Sequence, residues 1–244
     1  MSLTGIMDNE LTNGTKHGLE RTLEALREIA VETNREWSGI FKIPQSTAIT
    51  CVKPSGTVSQ LVDSSSGIHP RHSAYYIRTV RGDNKDPLTQ FMIDSEVPSE
   101  PDFMKPDTQT VFSFPMKSPT TPTLRDDMTA IEQLEMWLTY QRYWCEHKPS
   151  VTVSVRDDEW MEVGAFVFEH FDEMSGVSFL PHSEHTYQQA PYQECTEAVY
   201  NDFRSKFGHI DWNKFRDYEK EDTTSGSQTF ACSGDSCEIV DIGA

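Results

Sequence analysis

Thr47-Ala48-Ile49-Thr50-Cys51-Val52-Lys53-Pro54-Ser55-Gly56-Thr57-Val58-Ser59 is the stretch from which the fold is read. Residues 47–52 are β-prone and form a short strand. Lys53 to Ser59 turn the chain through small hydroxyl residues and a glycine, and Val58, Gln60, Leu61 and Val62 then open a helix. A strand that turns in this way into a helix N-terminus presents unpaired backbone N–H groups and the positive end of the helix dipole, which together suit a phosphate. A Pro-Ser-Gly-Thr sequence is also an ordinary capped turn, and the loop by itself leaves both readings open.

Outward from the loop, helical and extended patterns alternate. Upstream, Leu19, Leu23, Leu26, Ala30 and Trp37 recur at helical spacing on one face, and Pro44 closes that element or its connection. Downstream, Ser64 to Gly67 mark a turn, and Tyr75 to Arg81 form a short strand or extended segment. Seven prolines between Asp83 and Pro122 leave room only for a short helix over Leu88 to Asp94 and a strand over Thr110 to Phe114. A second helix runs from Asp127 through Ile131, Leu134, Trp137 and Trp144, and Ser150 to Val155 is the clearest strand. Asp157 is placed as the cap of a third helix bearing Trp160, Val163, Val167 and Phe171, followed by a strand at Val177 to Leu180. Residues 187–220 read as helical, with aromatic side chains that belong to a core. The alternation predicts an α/β fold with about four to five mainly parallel strands and helices outside. So few strands do not close a barrel, so the element set reads as part of a larger sheet.

The 244 residues carry 39 acidic against 21 basic side chains, a formal charge of −18. That balance speaks against nucleic acid or an anionic membrane surface as a partner, while a phosphorylated small molecule remains compatible through a local site. No apolar run approaches the roughly 20 residues of a membrane span, and the N-terminus lacks a signal-peptide pattern, so the expected location is the cytoplasm.

The five cysteines are Cys51, Cys145, Cys195, Cys232 and Cys237, an odd number unlike a secreted disulfide scaffold. Cys51 and Cys145 lie on apolar elements and read as core residues. From Glu221 the chain becomes polar and linker-like, giving a division into residues 1–220 and a flexible tail, 221–244. The tail carries Cys232-Ser233-Gly234-Asp235-Ser236-Cys237, a pair that closes into a small disulfide and reopens by thiol exchange. A linker of about 12 residues reaches roughly 20 Å typically and about 40 Å at most, enough to enter a buried site and leave it. A metal half-site is the alternative for this pair, as it is for His182 and His185, but no convincing further ligands are evident. His69 and His72 flank Arg71 and are either anion-facing or ordinary loop residues.

With the loop and the tail together, the sequence resembles the class II, adenosylcobalamin-dependent ribonucleotide reductases, in particular the monomeric ribonucleoside-triphosphate reductases. The resemblance rests on Ser2 to Asp8, Thr50 to Ser59, Ser66 to Pro70, Tyr75 to Arg78, Tyr143 to Val155, Gly176 to Pro181, Ala190 to Tyr192 and the tail cysteines. It implies a ten-stranded α/β barrel, of which residues 1–220 are the C-terminal part. It also implies a substrate-phosphate loop at Ser55, Gly56, Thr57, Val58 and Ser59, and a redox-active pair, Cys232 and Cys237, that re-reduces an active-site disulfide. The family's radical cysteine, its active-site disulfide and its allosteric site have no counterpart in this sequence. The expected function is therefore that of a C-terminal fragment or split subunit, silent without the N-terminal portion of the reductase. The other partners implied are adenosylcobalamin bound by the complete enzyme, a ribonucleoside tri- or diphosphate and a thioredoxin-type reductant. The alternative is a stand-alone thiol-redox or nucleotide-binding module. Open sheet edges further predict that the isolated chain dimerises or rearranges.

Overall fold

The computed structural model describes residues 1–55, 58–119, 123–182 and 188–219. In chain order the elements are α1 (Leu19–Phe41), α2 (Val58–Leu61), β1 (Tyr75–Asp83), α3 (Pro87–Asp94), β2 (Ser99–Pro101), β3 (Gln109–Lys117), α4 (Ala130–Tyr143), β4 (Thr152–Val155), α5 (Trp160–Glu169), β5 (Ser178–Pro181), β6 (Tyr192–Glu194) and α6 (Glu197–Ser205). Short 3-10 turns lie at Ile6–Asp8, Arg125–Asp127 and Trp212–Asp217. The chain divides into two compact units, residues 1–74 with 118–185 and residues 75–117 with 186–244. Among the described residues no helix is long and apolar enough to cross a membrane.

Unit 1 is the parallel part. Cys51 N donates to Met1 O at 3.0 Å and Leu3 N to Cys51 O at 3.3 Å, which sets the N-terminal residues beside 51–52. Ser150 N donates to Val52 O at 2.8 Å, and Val52 bridges Pro149 in parallel. β4 then pairs β5 in parallel from Thr152↔Ser178 to Val155↔Pro181. Four extended segments therefore lie side by side in one direction, two as regular strands and two held by single bridges. Val52, Val153 and Val155 are buried between these segments and α4, whose Leu134, Trp137 and Leu138 complete the core with Leu23 of α1. Trp137 and Trp144 bury their rings by donating Nε1–H to Pro149 O at 2.8 Å and Cys51 O at 2.9 Å, so the indole donor of each is met.

Unit 2 is antiparallel, in the order β2-β3-β1-β6. β1 and β3 pair along nine residues, Tyr75↔Lys117 to Asp83↔Gln109. One face is covered by an aromatic core in which Phe91 meets Trp212, Phe215 and Tyr218 at centroid distances of 5.6, 5.8 and 5.5 Å. Of the aromatic residues expected in a core, Phe207, Phe215 and Tyr218 pack partly buried against this cluster, whereas Trp212 is 48% exposed and α6 buries none of its side chains fully. Tyr218 donates its hydroxyl to Asp94 at 2.9 Å and ties the 3-10 turn to α3.

Several expectations need correction. The strand orientation is mixed rather than mainly parallel, because the proline-rich stretch supplies β2 and β3 to the antiparallel sheet of unit 2. Pro98, Pro101 and Pro115 sit in or beside edge or terminal positions where a missing N–H is tolerated. Asp157 does not cap the third helix; α5 begins behind Glu159, whose carboxylate accepts from Arg156 N at 2.8 Å and Ala130 N at 3.0 Å. The second helix starts at Ala130, capped by Thr129 in a reciprocal box with Glu132, and Asp127 instead accepts from Leu124 N at 2.9 Å. On α1 the buried positions are Leu23, Ala30 and Ser38, while Leu26 and Trp37 stand open. Residues 192–194 are a strand within a stretch read as helical.

Candidate functional site

The loop after residue 52 is built as a net of hydroxyl groups in unit 1. Ser55 Oγ lies 2.9 Å from Thr4 Oγ1 and 3.1 Å from Ser66 Oγ, and Ser55 N donates to Ser66 Oγ at 3.3 Å. Thr4 Oγ1 also donates to Ser65 O at 3.1 Å and accepts from Gly67 N at 3.1 Å. Gly67 has φ +52°, and a Cβ there would lie 3.1 Å from Val52 Cγ1, so the close pass of the two segments requires a glycine. Three short hydroxyl side chains from three segments thus converge on one point.

Ser55 and the α2 residues Val58 and Ser59 are described, whereas Gly56 and Thr57 lie outside the described residues. The Ser59 side chain is buried and its hydroxyl donates to Ser55 O, so it shapes the turn from within. Ser59 N donates to the same carbonyl at 3.0 Å. The Val58 side chain is exposed. The hydroxyls of Ser64 and Ser65 are buried without a hydrogen-bond partner among the described residues, unused capacity beside Ser66. The tail pair Cys232 and Cys237, and His185, also fall outside the described residues.

A buried ion pair supports the net from below. Arg71 donates Nε to Asp8 Oδ1 at 3.0 Å and Nη2 to Asp8 Oδ2 at 2.9 Å, a bidentate clasp. The same guanidinium donates to Asp63 O at 2.7 Å and Asp63 Oδ1 at 3.2 Å, holding a residue with φ +48° at the end of the α2 turn. Asp8 Oδ2 also accepts from Ser65 N at 2.7 Å. The backbone of Arg71 is fixed by its own N–H to Thr123 O at 3.0 Å and by Arg125 N to its carbonyl at 2.8 Å.

His69 is a structural residue. Its Nδ1 sits 2.8 Å from Ser66 O and its Nε2 accepts from Thr152 N at 3.0 Å, so the hydrogen bonds assign a neutral ring protonated on Nδ1. Burial pushes its pKa down, in keeping with that form. His72 is also shifted down, by burial and then by the Arg125 guanidinium. His182 Nε2 lies 3.1 Å from Asp126 Oδ1; burial raises the Asp126 carboxyl, but the bond to His182 and the nearby Arg125 hold it below its usual range. Among the described residues no group of three or more His, Cys, Asp or Glu is placed to hold a metal ion. Cys51 and Cys145 are buried free thiols, and burial pushes Cys145 up to about 12, which makes it inert.

No family model matches the chain. A probable adenosylcobalamin-dependent ribonucleoside-triphosphate reductase of Dictyostelium discoideum is 31% identical over 215 residues, covering 86% of this chain and 27% of that protein. The adenosylcobalamin-dependent ribonucleoside-triphosphate reductase of Euglena gracilis is 28% identical over 229 residues, covering 93% of this chain and 31% of that one. The chain is homologous to a segment of these reductases. A crystal structure of a B12-dependent class II ribonucleotide reductase shares the fold, with a TM-score of 0.74 at 22% identity over 89% of this chain and 34% of that one. The reductase-like segment thus spans about a third or less of the length of the proteins it matches.

A cavity of about 510 Å3 in unit 2 is walled by Glu96, Glu100, Lys206 and His209, among others, and these charged side chains do not suit a corrin. Sequence reading missed Thr4, Ser66 and the Asp8–Arg71 clasp. Their partners lie 51, 11 and 63 residues away, and no local pattern pairs them.

Proposed function

We propose that this chain is the portion of an adenosylcobalamin-dependent ribonucleotide reductase that grips the substrate's phosphates and returns reducing equivalents to the active site. The observation that carries the reading is the homology to ribonucleoside-triphosphate reductases along 86–93% of the chain. The cluster of Ser55, Thr4 and Ser66 hydroxyls supports it: Thr4 spends its proton on Ser65 O and holds Ser55 in place, and the short O–H groups of Ser55 and Ser66 suit phosphate oxygens. In this reading the backbone N–H of Val58, at the start of α2, adds a donor.

In the proposed cycle the complete enzyme binds the cobalamin, and the radical chemistry on the ribose resides in the partner portion. The tail acts by thiol exchange. A Cys232 or Cys237 thiolate attacks the active-site disulfide, the second tail thiol resolves the mixed disulfide, and two electrons and two protons pass inward. A thioredoxin-type dithiol then reduces the tail disulfide. Nothing among the described residues favours a stand-alone thiol-redox or nucleotide-binding module.

The test is reconstitution. This chain is mixed with the remaining portion of the Euglena gracilis reductase, adenosylcobalamin, a ribonucleoside triphosphate and a thioredoxin system, and deoxynucleotide is quantified by chromatography. Product that requires both polypeptides is expected. Replacing Cys232 and Cys237 by Ser should stop turnover with thioredoxin and spare a single turnover of pre-reduced enzyme. Folded components that yield no product would refute the proposal.

A further inference from the structure

The sequence of α5, Trp-Met-Glu-Val-Gly-Ala-Phe-Val-Phe-Glu, is apolar almost all round, the composition of a helix covered on every side. Only one side is covered. Val163 is buried in the core of unit 1, with Phe166 and Val167 packed against it. On the far side Met161 and Phe168 are 86% and 87% exposed, and Phe171 just beyond the helix is also exposed. Gly164 lies between Met161 and Phe168, and nothing comes within 4 Å of the position its Cβ would take. Positions 161, 164, 168 and 171 fall on one stripe at helical spacing. Large side chains on either side of a glycine form a hole that receives a knob from a partner helix.

The border of the stripe is acidic. Glu162 and Glu169, seven residues apart, line one flank, and Asp157, Asp158 and Asp172 lie at the ends. No Lys or Arg occurs from residue 157 to residue 172, and His170 turns its Nδ1 to Glu173 at 2.8 Å. A second copy of the chain is poorly suited to this face. An antiparallel two-fold pair sets like flank against like, which places Glu162 and Glu169 beside their own counterparts.

We infer that the outer face of α5 docks an amphipathic helix that carries Lys or Arg along the flank of its apolar seam. That helix belongs to the portion of the reductase fold that this chain does not span. Charge complementarity selects such a helix over a second copy. The identity of the partner rests on the proposed function, and the chain spans only 27% and 31% of the two curated relatives described above.

The experiment measures binding of this chain to the remaining portion of the Euglena gracilis reductase by biolayer interferometry, with sedimentation velocity on the chain alone. Met161→Glu with Phe168→Glu changes side chains that stand in solvent, so the thermal midpoint should move by no more than about 2 °C. Kd should rise by about 100-fold, the scale of losing an apolar anchor. Glu162→Lys with Glu169→Lys should weaken binding in low salt and lessen its salt dependence. A complex that forms with equal Kd in the Met161/Phe168 variant overturns the docking face and leaves the proposed function standing. Absence of any complex overturns both. A dimer of the chain alone that the same variant converts to monomer shows a second copy on α5 and overturns the choice of occupant.

Discussion

Replacing Arg71 by Met keeps the aliphatic stem and removes the guanidinium donors to Asp8 and Asp63. The Arg71 side chain is 3% exposed and that of Asp8 15%, so the substitution leaves a largely desolvated carboxylate with Ser65 N as its remaining partner. Breaking a buried pair from one side costs about 3–5 kcal/mol. Asp8 retains some solvent and one N–H, which places the cost at the lower end, about 3 kcal/mol. The assay is urea unfolding followed by tryptophan fluorescence, in which Trp137 and Trp144, both buried in unit 1, report the core beside the loop. With a slope of about 2–3 kcal/mol per molar urea, the midpoint should fall by about 1–1.5 M. Asp8→Asn removes the charge but keeps one acceptor, and should cost less. A midpoint change below about 0.3 M for Arg71→Met would show that the clasp is dispensable and that the loop is held by its hydroxyl net alone.

Other outcomes follow from single contacts. Glu146 accepts from Ile49 N at 2.8 Å and Thr50 N at 3.2 Å, and although burial raises its carboxyl these bonds hold it below the usual 4.5. Its contribution is complete above pH 4.5 and is lost as pH falls through the lower folded value, so Glu146→Gln should flatten the acid limb of the melting curve. The folded pKa of His69 lies below 6.5, so the unfolded chain binds more protons on acidification; stability from this residue is present above pH 6.5 and declines below it, and NMR titration of the ring should find its midpoint below 6.5. Thr129→Ala removes the cap on Glu132 N and should lower stability by about 1 kcal/mol, seen as a lower urea midpoint. Ser55→Ala should weaken ribonucleoside-triphosphate binding by the reconstituted enzyme about 5- to 10-fold, the loss of about 1–1.4 kcal/mol, without changing the circular dichroism spectrum.

The parts of the structure that the sequence reveals are those whose causes are local. α1 and α4 follow from the 3.6-residue period, and β4 from a run of alternating β-branched residues. Pro87 at the first turn of α3, with Asp86 accepting from Leu88 N at 2.9 Å, is a start signal that needs no tertiary contact. The antiparallel pairing of β1 with β3 is not local. The prolines that suggested irregular chain between Asp83 and Pro122 are accommodated because β2 lies at the sheet edge and Pro115 near the end of β3. The same division holds at the loop. Its turn and its small hydroxyl residues are visible in sequence, but the side chains that hold Ser55 in place come from Thr4 and Ser66. His69 shows the consequence most directly. Beside Arg71 it could face an anion, yet the parallel sheet delivers Thr152 N to its Nε2 while Ser66 O accepts a hydrogen bond from its Nδ1–H, so both ring nitrogens are committed to fixing the loop against β4. A phosphate held here would therefore meet hydroxyl and backbone donors, with the buried Arg71 acting through Asp8 and Asp63 to keep them aligned.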